Sequence, residues 1–148
     1  MSDNNQQLNL ETLPEAQQRQ LKRMLADKFI CNLIGIRLTE ADRGRATAEL
    51  TVTESHLNGV GICQGGALFS LADYALAAAF NYTEESAVSL DVSIQYVKSA
   101  KLGDRLIAEA RETVRTRTTT VGEAIVKDEN GRIICLATCR GYILPPPR

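Results

Sequence analysis

The chain has 148 residues, 44% of them hydrophobic and 24% charged, with a formal net charge of -1. At that length one core suffices, since a domain of about 150 residues buries roughly 68–70% of its unfolded surface. The near-neutral balance and the scattered lysines and arginines exclude nucleic acid as the expected partner.

The first 20 residues lack the basic start and apolar core of a secretory leader, and no run of 18 apolar residues occurs, so no membrane partner is expected. The four cysteines, Cys31, Cys63, Cys135 and Cys139, form no CxxC pair, and His56 is the single histidine, so no metal site is expected. These features point to a cytoplasmic protein with reduced thiols.

Residues 1–11 are polar and are expected to form a frayed tail before a single domain over 12–148. From Thr12 the pattern turns helical. Thr12 and Glu15 have capping-box spacing, Pro14 falls in the first turn, and Leu21, Met24, Leu25 and Phe29 share one face, predicting a helix to about Ile30. Such a helix either covers the domain or walls a ligand tunnel. Two strand-like runs follow, 33–39 and 45–52, joined by EADRG as a hairpin.

The stretch HLNGVGICQGGALFSLADYALAAAFN spans 56–81. Its helical run from about Gly66 to Asn81 is apolar on nearly every side, which marks a buried central helix. The period then switches to two, with Val88, Leu90, Val92, Ile94 and Tyr96 alternating with polar residues. Three more strands are expected, near 105–114, 118–127 and 133–143, with turns at KLGD and DENG. Consecutive strands with short turns imply an antiparallel sheet, and the apolar helix is its natural cover, so the class is α+β.

Asp73 stands inside that apolar helix, where an unpaired carboxylate is costly, so it is either satisfied by local donors or chemically active. Gly65 and Gly66 stand at the helix start, where free N–H groups and the helix dipole suit an oxyanion; the alternative is close helix-on-sheet packing. Eight residues separate Gly65 from Asp73, roughly 12 Å along a helix, too far for one carbonyl to touch both. If they act together, they come from two copies of the chain. Asn58 can anchor its own loop or hold a ligand. His56, in the same loop, is a substrate-binding candidate.

The quoted stretch resembles the helix motif of the hotdog-fold acyl-CoA thioesterases of the phenylacetate-degradation (PaaI) type, usually Asn, a glycine loop, His-Gly-Gly and Leu-x-Asp. AVSLDVSIQYVKSAKLGDRLIAEA resembles the strand, turn and strand that follow, and the similarity covers about residues 29–143. The resemblance implies a sheet wrapped around one long helix, in dimers that often pair into tetramers, and hydrolysis of acyl-coenzyme A in a channel between subunits, without a further cofactor. It implies Asp73 as nucleophile or general base, the Gly65 N–H as oxyanion donor, Asn58 orienting substrate or water, and Ser89 near the carboxylate. Gly66 lies beside the substrate in that reading. Gln64 departs from the pattern, standing where the family most often has histidine; its amide can donate but carries no charge.

Coenzyme A brings phosphates, and in ARETVRTRTTT the arginines Arg115 and Arg117 are candidates to hold them; an ordinary charged strand and turn is the alternative. Leu68, Phe69, Tyr74 and the N-terminal helix are expected to set pocket depth. Two other readings stay open: an acyl-CoA binder or sensor without turnover, for which Gln64 speaks, and a hydratase, which would have to use His56 as its proton-transfer partner.

Overall fold

The computed structural model describes residues 8–146. Most of the expected tail lies outside them, but Leu10–Thr12 forms a 3-10 turn capped by Asn9, and Leu8 and Leu10 pack on the core. The first helix, α1, is Glu15–Leu25, shorter than expected. Its N-cap is Pro14 and the capping box does not form, because Thr12 belongs to the preceding turn and its hydroxyl donates to the Asn9 carbonyl. At the other end Asp27 is extended and its side chain accepts from the Ile30 N–H, which starts a separate π-helical turn, Lys28–Ile34. Asp competes in this way with helix continuation.

Strand β1 (Arg37–Asp42) therefore begins later than expected, because Leu33 and Ile34 belong to the π-helical turn. It pairs with β2 (Arg45–Thr51) across Arg43 and Gly44, and Gly44 sits at φ 71°, where a side chain would be strained. Helix α2 (Gly65–Phe80) follows, then β3 (Ala87–Tyr96), β4 (Arg105–Arg115), β5 (Thr119–Lys127) and β6 (Ile133–Ile143). All pairings are antiparallel, in the order β1-β2-β4-β5-β6-β3, so β3 is an edge strand.

Helix α2 lies in the concave face of this sheet. Leu71, Ala72, Ala75, Leu76, Ala78 and Ala79 are fully buried against inward residues such as Leu50, Leu106, Ala108 and Val126. The alanines let the strands approach closely, and each large side chain there would cost about 2–5 kcal/mol to truncate to alanine. Contact is tightest at Gly122 of β5, where an added Cβ would lie 2.6 Å from the Phe80 ring and from the Arg111 carbonyl. This is the hotdog arrangement.

The alternation in β3 is not continuous. Ser89 pairs with Gly141 but Asp91 pairs with Arg140, so Leu90 is a bulged extra residue and the inward phase shifts by one. Ala87 is buried and Val92 and Ile94 pack on the core, whereas Val88 and Leu90 are exposed. The expected single apolar face of β3 is thus two half-faces. The bulge puts Ser89, not Val88 or Leu90, on the helix side.

Candidate active site

Helix α2 fixes the carboxylate. Asp73 is half-buried, and Ser89 Oγ donates to its Oδ1 at 3.0 Å. Burial pushes its carboxyl up from the ordinary range, and the serine bond offsets part of that. The two residues are 16 apart in sequence and meet because α2 crosses behind the bulged end of β3. Asp73 also lines a groove of about 380 Å³ whose walls include Met24, Ile30, Tyr74 and Ala77, with Arg23 and Asp27 among its polar residues. The N-terminal segment is therefore a groove wall, held to α2 by Tyr74, whose buried hydroxyl donates to the Met24 carbonyl at 3.0 Å and lies 3.6 Å from Cys31 Sγ. Of the other residues expected to set pocket depth, Leu68 is buried and Phe69 half-buried, and neither lines this groove.

At the helix start Gln64 is the N-cap, and its Oε1 accepts from the Gly65 N–H at 3.2 Å. Within one chain, the N–H expected to meet an oxyanion is thus covered by the neighbouring side chain. Gly66 is exposed, its carbonyl taken by the Ser70 hydroxyl. Nothing in the sequence marks Tyr96 as part of the site, yet its hydroxyl donates to the Gly65 carbonyl at 3.0 Å and its ring would lie 3.0 Å from a Cβ there. It lies on the inward phase of β3, but only the pairing of β3 against α2 reveals the contact.

Asn58 holds its own loop: Oδ1 accepts from the N–H groups of Val60 and Ile62 at 3.1 and 3.2 Å. His56 is buried and internally committed. Its Nδ1 accepts from the Thr53 N–H at 2.9 Å, which leaves the proton on Nε2 to donate to the Ile34 carbonyl at 2.7 Å. The ring therefore ties the loop to the π-helical turn and presents no free nitrogen.

Arg115 sits at the opposite end of α2. It donates to the Phe80 carbonyl, the Thr83 hydroxyl and Glu112, and its guanidinium lies 4.9 Å from the Tyr82 ring centroid. Arg117 is exposed between β4 and β5. One chain thus brings together Asp73 with Ser89, and Gln64 with Gly65, while Arg115 stands apart.

Residues 60–135 match the sequence model of the Thioesterase superfamily. A putative esterase of Archaeoglobus fulgidus is 39% identical over 114 residues, covering 77% of this chain and 74% of the relative. The acyl-coenzyme A thioesterase PaaI of Escherichia coli is 34% identical over 103 residues, covering 70% of this chain and 74% of that one. The solved structure of the Escherichia coli PaaI protein superposes with a TM-score of 0.84 over 90% of this chain and 97% of its own, at 28% identity. A hypothetical thioesterase of Streptococcus pneumoniae, solved with coenzyme A, gives 0.77 over 86% and 99%, at 25% identity. With its helix-wrapped sheet, its acid on the central helix and these likenesses, the chain belongs to the thioesterase superfamily, as a hotdog-fold member of the PaaI-like type.

Proposed function

We propose that the protein hydrolyses the thioester of acyl-coenzyme A to a free acid and coenzyme A. The observation that carries this is Asp73: a half-buried carboxyl on an apolar helix, held by one hydroxyl and opening on a groove. In the general-base form Asp73 takes a proton from water, the hydroxide adds to the thioester carbon, and the C–S bond breaks to expel the coenzyme A thiolate, which is then protonated. In the nucleophilic form Asp73 itself adds to the carbonyl and expels the thiolate, and water hydrolyses the resulting anhydride. The raised affinity of Asp73 for its proton favours the base.

Both forms need an oxyanion donor. The Gly65 N–H of the same helix is roughly 12 Å away by helical rise, so the donor is a second copy's Gly65, with Asn58 beside it. The exposed edge of β3 offers that copy a place to pair. An oxyanion N–H of this kind is worth about 10²–10³ in kcat. Gln64 then has two tasks: it must leave the Gly65 N–H when substrate binds, and its amide can donate to the thioester carbonyl in place of the family's histidine. The groove beside Asp73 receives the acyl group, and of the two arginine candidates Arg117 is the one free to meet phosphate.

The test follows release of free thiol from aryl-CoA and short- to long-chain acyl-CoA substrates with wild type, Asp73→Asn and Gln64→His. Turnover by wild type that falls at least about 10²-fold in Asp73→Asn is expected. Silence across the whole panel overturns the enzyme reading. The covered Gly65 N–H favours one second reading, an acyl-CoA binder without turnover, and tight binding with no thiol release identifies it.

A further inference from the structure

Ser89 is held from two sides. Gly141 stands opposite it in the β3–β6 pairing and has no side chain, so the neighbouring inward residue of β6, Cys139, reaches the serine. Cys139 is 2% exposed, and its Sγ donates to Ser89 Oγ at 3.6 Å; Ser89 Oγ in turn donates to Asp73 Oδ1 at 3.0 Å. Burial pushes the Cys139 thiol up, so it keeps its proton at neutral pH and can donate.

A serine hydroxyl has one proton and two lone pairs. When a lone pair accepts from Cys139, the rotor is fixed and the single proton is left for the carboxylate. Hydrogen bonds in such a chain also polarise one another. We propose that Cys139 is a positioning residue for the hydrolysis, acting through Ser89 to hold Asp73 Oδ1 and leave Oδ2 turned to the reaction. The kinetic side of this inference rests on the thioesterase reading; the hydrogen-bond chain does not.

The other charged and titratable groups around the carboxyl are Arg23 and Asp27 across the groove and Tyr74 beside it on α2; Asp91 of β3, which bears on the Cys139 thiol, is paired with Arg140 of β6. None of them changes when Cys139 is replaced. Among the described residues Ser89 is the one hydrogen-bond donor to Asp73, so weakening that bond raises the carboxyl midpoint.

The experiment titrates the Asp73 carboxyl by 13C NMR, assigned against Asp73→Asn, and measures kcat and KM over pH, in wild type, Cys139→Ala, Cys139→Val, Ser89→Ala and Ser89→Ala/Cys139→Ala. Thermal melts confirm that each variant is folded. In Cys139→Ala the midpoint and the acid limb of the rate rise by about 0.3–1 pH unit and kcat falls about 2–10-fold with KM unchanged, the scale of one weak hydrogen bond. Cys139→Val, which fills the thiol's place without a donor, shifts as Cys139→Ala does, and the double variant is no worse than Ser89→Ala alone, since Cys139 acts only through the serine.

An unmoved midpoint in Cys139→Ala, a Cys139→Val variant that stays at wild type, or additive losses in the double variant each overturn the proposal and leave Cys139 as packing. The carboxyl midpoint is read without turnover. A wild type that releases no thiol therefore sinks the enzyme reading, while the titration still decides for or against the Cys139 chain.

Discussion

The half-buried Asp73 carboxyl costs the fold stability when it ionises, and pH exposes the cost. Its carboxyl is held above the ordinary value of about 4 because burial penalises the charged form. The folded chain therefore binds this proton more tightly than the unfolded chain does. The stabilisation from that difference is fully present below the unfolded pKa and is lost as pH rises through the folded one. Asp73→Asn cannot ionise and escapes the loss. Its melting temperature should match wild type near pH 3 and exceed it at pH 8, the gap opening between the ordinary and the raised carboxyl values, and differential scanning calorimetry from pH 3 to 8 reads it. A variant that melts at or below wild type at pH 8 would mean that Ser89 fully offsets the burial. The same sign governs activity: if Asp73 reacts as the carboxylate, turnover falls on the acid side at a pH above the range of an ordinary aspartate.

At the scale of elements, Arg115 shows what a sequence hides. Its place among arginines and threonines suggested a phosphate contact, yet it caps the C-terminal carbonyl of α2 and neutralises Glu112, whose side chain is only 8% exposed. Glu112 also accepts from the hydroxyls of Tyr82 and Thr120. Removing the arginine strands a buried carboxylate, which costs about 3–5 kcal/mol. Arg115→Ala should accordingly lower the melting temperature by roughly 6–15 °C and leave KM for acyl-coenzyme A unchanged. A raised KM with an unchanged melt would return Arg115 to the ligand.

The elements themselves were largely legible. Helix α2 and strands β4 to β6 fall within a residue or two of their expected spans: α2 because an unbroken run of small and apolar residues too long for a strand follows a glycine pair, and the strands because turn residues bound their strand-like runs. What was not legible depends on contacts across the chain. The bulge at Leu90 is set by pairing with β6 and the Gly122 contact by the Phe80 ring; the break at Asp27 is the exception, a local choice in which the side chain accepts from Ile30 three residues on. The site divides the same way: Asp73 and the glycine pair stand out in one dimension, whereas Tyr96 and Cys139 join it only through the sheet.

For the whole molecule the decisive question is whether one site draws on two chains. Helical rise separates Gly65 from Asp73 by roughly 12 Å, and β3 leaves an open edge with Val88, Leu90 and Tyr96 about half exposed. A twofold pairing along that edge would give every site one copy's Asp73 and the other's Gly65. Complementation tests this without knowing the interface. Gly65→Pro removes the N–H with little change to the backbone: proline suits the first helical position, and Gln64, at φ -59° and ψ 135°, already has the backbone a following proline requires. The Tyr96 ring, 3.0 Å from the new Cβ, has to move by a few tenths of an ångström. Gly65→Pro and Asp73→Asn should each be nearly inactive, yet mixing them through unfolding and refolding should restore about a quarter of wild-type turnover: half the dimers are mixed, and each mixed dimer carries one site with both groups intact. If acid and donor belonged to one chain, every site in the mixture would carry a defect and no activity would return.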